Sequence, residues 1–392
     1  MKLFVSFLFF CSTLISICVF GQEDPSFEKN KAAIEAKIKG KKYSSVYKTA
    51  SKLRAEFPEN SYYGYAMAFG LFYSQQDNYE TKIDLTKATF DLLKNSEKLT
   101  EFDKGFSQNL QRQSLKNLNV TLKSGDLEKT IEILDNWFMV FNNSEDFLQN
   151  HYLNEVQDSL FERSIEYYFN EEQSKALILL DWMDKTFSSE HMPLKYDPLT
   201  IYPEDGYNFK EYKHPKYFLA NTAYNNPSLS ELEKQVIYLH NLVRMDPKLF
   251  NKTYVAKYFN DKPELSNTEH GRSLVKELNE IEPLPLLFPD DNLKKAADFH
   301  ATDIGEHGAT GHVSSDGSTR KDRFKKFGAS GSGENCTYGR MTPYDIVIGL
   351  LVDINSEQKG HRENILRRSF KRIGVSIKPH KTYKLGTVLD YG

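Results

Sequence analysis

The sequence predicts a multidomain chain, with an all-α, helical-repeat-like N-terminal region followed by an α+β C-terminal domain. Three observations carry this. At 392 residues the chain exceeds one ordinary domain, since domains average roughly 150 residues. Apolar residues recur at i, i+4, i+7 and i+11 in three separate N-terminal segments, which keeps one helix face apolar. The last twenty residues instead alternate as strands, Ile373 to Ile377 and Leu385 to Leu389, around a turn at Pro379-His380-Lys381.

The chain starts with Lys2, an apolar run from Leu3 to Phe20, and Gly21 before Gln22-Glu23-Asp24. A charged start, an apolar core and a small residue at the cut describe a secretory signal over 1–21, cleaved after Gly21. The alternative is an uncleaved N-terminal membrane anchor. Cleavage removes Cys11 and Cys18 and leaves Cys336 alone, so no intramolecular disulfide is expected. Cys336 is read as a small buried hydrophobe, the alternative being a nucleophile beside a His. The protein is therefore expected to be exported, periplasmic or extracellular. Charged residues make up 27% of the chain, yet the net charge is only −3 and Lys and Arg are dispersed. That excludes nucleic acid as a partner.

Residues 27–190 form the helical-repeat-like region. Its matching segments are Val46/Ala50/Leu53/Phe57, Leu127/Ile131/Leu134/Phe138 and Ala176/Leu180/Met183/Phe187. Breakers at Phe57-Pro58, Ser124-Gly125 and Met192-Pro193 separate the helices. The region loosely resembles tetratricopeptide-type repeats, without their Trp-x-x-Leu-Gly-x-x-Tyr signature. It is either a scaffold with a binding face for a protein partner or a plain helical bundle. The aromatics from Tyr62 to Tyr73 are assigned to packing. Residues 191–229 carry enough Pro and Tyr to read as a linker. The C-terminal domain spans 230–392, opening at Ser230-Glu231-Leu232-Glu233, a capped helix start. After Met245-Asp246-Pro247 a polar, weakly helical insert reaches Ile281. Pro283 to Phe288 is extended, Asp291-Asn292 caps the next helix, and another runs from about Pro343 to Asp353.

Seven of the ten His lie beyond residue 239, which places any chemistry there. Gly311-His312, Gly333-Glu334-Asn335 and Gly360-His361-Arg362-Glu363-Asn364 offer two His and a carboxylate in one stretch. The spacing alone is poor evidence for metal, because the far more specific His-Glu-x-x-His is absent. Gly-x-Ser-x-Gly is absent too. His300, Asp303 and His307 share a helix face that is read as half-exposed. Arg320 to Lys326 is read as a solvated basic face, Arg367 to Arg372 as surface charge, and Gly328 to Gly333 as a flexible approach to Glu334.

Together with His240-Asn241-Leu242-Val243-Arg244, Leu293 to His300 and Leu350-Leu351-Val352-Asp353, these pieces make residues 231–392 resemble the CAP superfamily. That is the superfamily of cysteine-rich secretory proteins, antigen 5 and plant pathogenesis-related proteins, also called the SCP domain. The single mature Cys resembles its bacterial branch. The resemblance implies an α-β-α sandwich with a central antiparallel sheet and a cleft. It places His312, Glu334, Asp353 and His361 in the cleft, with Asp353 standing where many members have Glu. Two imidazoles and a carboxylate can hold a divalent cation such as zinc, with His312 and His361 as candidate ligands. The resemblance also implies lipid, peptide or other small ligands. The sequence thus supports an exported cleft protein that binds a cation or small ligand. The alternatives are a metal-dependent hydrolase, peptidase or esterase, using Glu334 and His361, and a structural cleft with function on the helical region.

Overall fold

The structure is a computed structural model, described here for residues 23–74, 82–93, 104–141, 151–170, 172–187, 195–201, 209–354 and 358–392. The leader expected over 1–21 and its cut after Gly21 lie outside these residues, as do parts of the Pro-rich segment. No helix among the described residues is long and apolar enough to cross a membrane. The chain divides into two compact units, one ending at Tyr152 and the other running from Leu153 to Gly392.

The first unit contains α1 (Phe27–Lys39), α2 (Tyr43–Glu56), α3 (Ser61–Ser74), α4 (Lys82–Leu93), α5 (Lys104–Ser124) and α6 (Leu127–Phe141). Each helix packs on its neighbour in sequence. Of the apolar stripes, Val46, Ala50 and Leu134 are buried, and Leu53, Phe57, Leu127, Ile131 and Phe138 are half-buried. Tyr65, Phe69, Phe72 and Tyr73 all meet Phe106 edge-on or tilted, so these aromatics are packing residues. A Cβ at Gly70 would collide with the backbone of Tyr43 and Tyr47, so only glycine lets α2 and α3 approach this closely.

The second unit begins with α7 (His151–Phe169) and α8 (Gln173–Phe187). The helices from Leu153 to Phe187 thus group with the C-terminal residues by compactness. Aromatic rings hold them there: Phe161 stacks on Tyr196 at 3.8 Å and meets Phe218 edge-on at 5.3 Å. The described part of the Pro-rich segment is made of 3₁₀ turns, and Tyr212, Tyr217, Phe218 and Leu219 are buried.

Next come α9 (Glu231–Met245), α10 (Pro247–Phe250), a π turn (Asn251–Val255), α11 (Ala256–Asp261), α12 (Pro263–Ser266) and α13 (Glu269–Glu280). The stretch 247–281, expected to be weakly helical, is mostly helix; Thr268 caps α13 through the Gly271 N–H. The capping box of α9 forms between Ser230 and Glu233. Buried Glu233 also bonds Lys294 and the Ile377 N–H, tying three elements together. The remaining elements are β1 (Phe288–Pro289), α14 (Asp291–His307), α15 (Arg320–Phe327), β2 (Gly333–Tyr338), α16 (Pro343–Val352), α17 (Gly360–Leu366), β3 (Arg372–His380) and β4 (Lys384–Tyr391).

The sheet order is β1-β3-β4-β2. β3/β4 and β2/β4 are antiparallel, but β1 runs parallel to β3. The sheet is therefore mixed, a correction to the antiparallel expectation. β1, which is only Phe288 and Pro289, pairs with β3 through bonds on either side of the proline, Phe288 N–H to Lys371 O and Asp290 N–H to Ile373 O. Helices cover both faces. Cys336 and Val388 pack on Ala297, Ala301 and Ile304 of α14. On the other face, Tyr391 lies 3.0 Å from His240 Nε2 of α9.

Gly374 fixes how closely α14 sits on β3, because a Cβ there would overlap the backbone of Leu293 and Lys294. Gly374→Ala is predicted to destabilise the second unit by about 3 kcal/mol. Calorimetric unfolding of the full chain would show this as a lower midpoint for that unit. An unchanged midpoint would refute it.

Candidate functional site

β2 lies at the edge of the sheet and carries Glu334, whose side chain is fully buried. Two partners hold it. Arg323 of α15 donates through Nη2 to Oε2, and His312 donates through Nδ1 to Oε1 at 2.7 Å. Burial alone would raise the Glu334 pKa. The His312 bond and the Arg323 charge outweigh it and hold the carboxyl below its ordinary range. Arg323 is itself fully buried, which corrects the reading of Arg320 to Lys326 as uniformly solvated. It also donates to the carbonyls of His312 and Ser318, so one guanidinium fixes both the acid and the loop bearing the imidazole. Tyr338 receives the Gly311 N–H from the same loop.

The second pair forms at the end of α16. Asp353 takes a left-handed conformation there, φ 55°. Asp tolerates this region better than most residues. Its Oδ1 accepts from His361 Nδ1 at 2.6 Å and its Oδ2 from the His361 N–H at 2.9 Å. From this turn the short Asp353 side chain already reaches the imidazole ring. Arg362 anchors the turn by donating to Leu351 O, Val352 O and His270 O.

The two pairs flank the start of β2, because successive side chains of a strand point to opposite faces. Glu334 faces His312, and the next residue, Asn335, donates to His361 O at 3.0 Å. Asn364 of α17 bonds Asn335 Oδ1 at 2.8 Å. In each pair the imidazole Nδ1 is committed to a carboxylate. Among the described residues neither Nε2 has a hydrogen-bond partner. The His312 side chain is 53% exposed and that of His361 28%, against 0% and 2% for their acids.

Sequence reasoning missed a second cluster. His300, Glu334 and Cys336 bring ligand-type atoms within 4.8 Å of one another, all buried. Those atoms are already occupied. His300, read as half-exposed, is fully buried between Ser314 Oγ at 2.9 Å and Gly311 O at 3.0 Å. Burial, with Arg323 nearby, lowers its pKa and keeps it neutral. Burial pushes the Cys336 thiol well up, which removes it as a thiolate nucleophile or ligand. The cluster is a filled polar core. Asp390, directly across β4 from Glu334, is also buried, with neither carboxyl oxygen bonded among the described residues. Burial and the Glu334 charge raise its pKa well above normal, so it keeps its proton. Its signal was only a register, invisible until β2 and β4 are paired.

Arg323→Gln is predicted to cost about 3–5 kcal/mol, because it leaves a buried carboxylate without its guanidinium. Chemical denaturation with circular dichroism checks this; a loss below about 1 kcal/mol would exclude the pairing as a stability element. A lowered folded-state pKa means that Glu334 stabilises above its unfolded pKa and that this contribution fades as pH falls. The stability gap between the wild type and Glu334→Gln should therefore shrink on acidification from about pH 6 to about pH 3. A constant gap would contradict the ionised assignment.

Comparison with known proteins gives four likenesses. Residues 237–391 match the sequence model described as CAP, cysteine-rich secretory protein family. The chain is 33% identical over 123 residues to the uncharacterized protein YkwD of Bacillus subtilis (strain 168), covering 31% of this chain and 42% of that protein. It thus spans less than half of that curated relative. An extracellular protein containing an SCP domain from Bacillus anthracis str. Ames is 25% identical, with a TM-score of 0.24 over 31% of this chain and 38% of that one. An outer surface protein of Borrelia burgdorferi is 26% identical, with a TM-score of 0.25 over 33% and 90%. Residues 237–391 of this chain are a CAP domain of the cysteine-rich secretory protein family.

Proposed function

We propose that the chain is an exported binding protein whose CAP-domain cleft takes a divalent cation, with His312 and His361 as the ligating side chains. One observation carries this reading. Each ring gives its Nδ1 to a buried carboxylate and leaves Nε2 outward. A metal-ligating His commonly donates its other ring N–H in this way, which fixes the tautomer and raises ligand basicity. Glu334 and Asp353 then act as orienting acids. Zinc suits two imidazoles, and it would supply Lewis-acid polarisation of whatever joins it in the cleft.

The hydrolase reading is less well supported. It loses Glu334 as a base, because both carboxylate oxygens are engaged, and it then rests on His361 alone, whose Nε2 has no partner among the described residues. The helices of 27–190 are assigned the role of a protein-interaction scaffold in this reading. Export rests on the apolar leader, and the mature chain should begin at Gln22 when its N-terminus is sequenced.

Calorimetric titration of zinc into the full chain should give one site. His312→Ala and His361→Ala should each weaken it by about tenfold or more, the scale of losing one ligand or its orienting partner. Equal zinc uptake by parent and both variants would sink the assignment. Unchanged hydrolysis of peptide and ester substrates by Glu334→Gln would remove Glu334 from catalysis altogether.

A further inference from the structure

The sheet has a second edge, and β1 forms it. Pro283 and Pro285 keep the lead-in to β1 extended, so no helix covers it from within the chain segment itself. Helix α7 stands beside this segment and touches it through Phe169 and Phe288, whose rings meet edge-on at 5.6 Å. Two connected cavities open between them. The outer one, about 400 Å³, is bordered by Tyr168, Phe169, Leu286, Phe288, Arg368 and Lys371. The inner one, about 210 Å³, shares Tyr168, Leu286 and Phe288 and continues to Phe161, Ile165 and Phe218. All these residues belong to the second compact unit.

The two chambers differ in chemistry. The inner walls are almost wholly aromatic and aliphatic, apart from Asn221 and Thr222. The outer mouth carries two cations, Arg368 and Lys371, against one acid, Glu282. Arg368 is held in position by donating to Pro283 O at 2.8 Å. Phe169 stands at the rim with its ring 52% exposed. A small-molecule site is typically a concave apolar cavity of roughly 300–1,000 Å³ with a few fixed polar groups. The outer chamber has that volume and the fixed polar group, and the inner one supplies the apolar walls, with room for one or two rings.

We propose that this groove binds a small organic carboxylate, its apolar body in the inner chamber and its anionic group between Arg368 and Lys371. This site is independent of the His312/His361 cleft. β1 and β2 are opposite edges of a four-stranded sheet, about 14 Å apart at the ordinary strand spacing. Failure of the cation reading would leave this proposal untouched.

The experiment titrates 2-naphthoate and its uncharged analogue 2-naphthamide into the full-length protein by calorimetry. The naphthoate should bind at least about fivefold tighter, a preference that weakens with salt as exposed charge interactions do. Lys371→Glu, at an exposed position, should abolish that preference while leaving naphthamide binding intact. Ile165→Trp, which fills the inner chamber, should weaken both ligands. Matching thermal unfolding would confirm that each variant is folded. Absence of binding up to millimolar ligand, equal affinity for the two ligands, or binding unchanged in Lys371→Glu would overturn the proposal.

Discussion

Three buried guanidinium groups hold the C-terminal domain together. Arg244, Arg323 and Arg362 are each almost completely inaccessible. Between them they donate to carbonyls in loops, as Arg323 does to His312 O and Ser318 O, and at helix ends, as Arg362 does to Leu351 O, Val352 O and His270 O. Arg244 serves Pro285 O, Arg367 O and Phe370 O, together with Ile365 O in α17. A buried carbonyl without a donor costs free energy comparable to a lost hydrogen bond. An arginine offers five donors in a rigid fork, so one side chain can satisfy several such groups at once. The one cysteine among the described residues is free, so no disulfide among them shares the task. Burial lowers the Arg244 pKa to about 10, which still leaves it charged at neutral pH.

The site inherits its geometry from these groups. Arg362 holds the last carbonyls of α16, the left-handed turn after them aims Asp353, and Asp353 aims His361. Arg323 holds Glu334 and the loop carbonyls, and Glu334 aims His312. Each imidazole is thus set by a carboxylate that the surrounding backbone cannot easily move. Such an arrangement positions a group more firmly than a loop His facing solvent alone.

The sequence made the chemistry legible and the scaffolding less so. His312, Glu334, Asp353 and His361 stand in short motifs whose order could be read directly. The β3/β4 hairpin was equally plain from its alternation, but its turn lies at residues 381–383, and Pro379 and His380, expected in the turn, pair within β3 and β4 with Leu385 and Lys384. Arg323 was hidden because five cations lie within seven residues, from Arg320 to Lys326. Composition gives that run a solvated character, and only the helix phase that turns Arg323 inward distinguishes it. β1 left no periodic signal, for two residues paired in parallel are too few to show one. Amphipathic stripes in α2, α6 and α8 announce that each helix has an apolar partner. They do not say which, and so the grouping of α8 with the C-terminal residues could not be read from its pattern.

The two imidazole arms are electrostatically unequal, and burial is the reason. On the His312 side, Arg323 balances Glu334, Asp390 stays protonated, and His300 stays neutral. One buried charge therefore meets one opposite charge, and little net field remains beyond the pair. A second ionised carboxylate there would face Glu334 without a cation of its own, which is why the proton stays on Asp390. On the His361 side the ion pair recorded for Asp353 is with the imidazole itself. Arg362, its sequence neighbour, spends its donors on carbonyls, Ser273 and Glu277. Arg362 thus lies against the same turn without bonding the Asp353 carboxylate, which gives both its oxygens to His361.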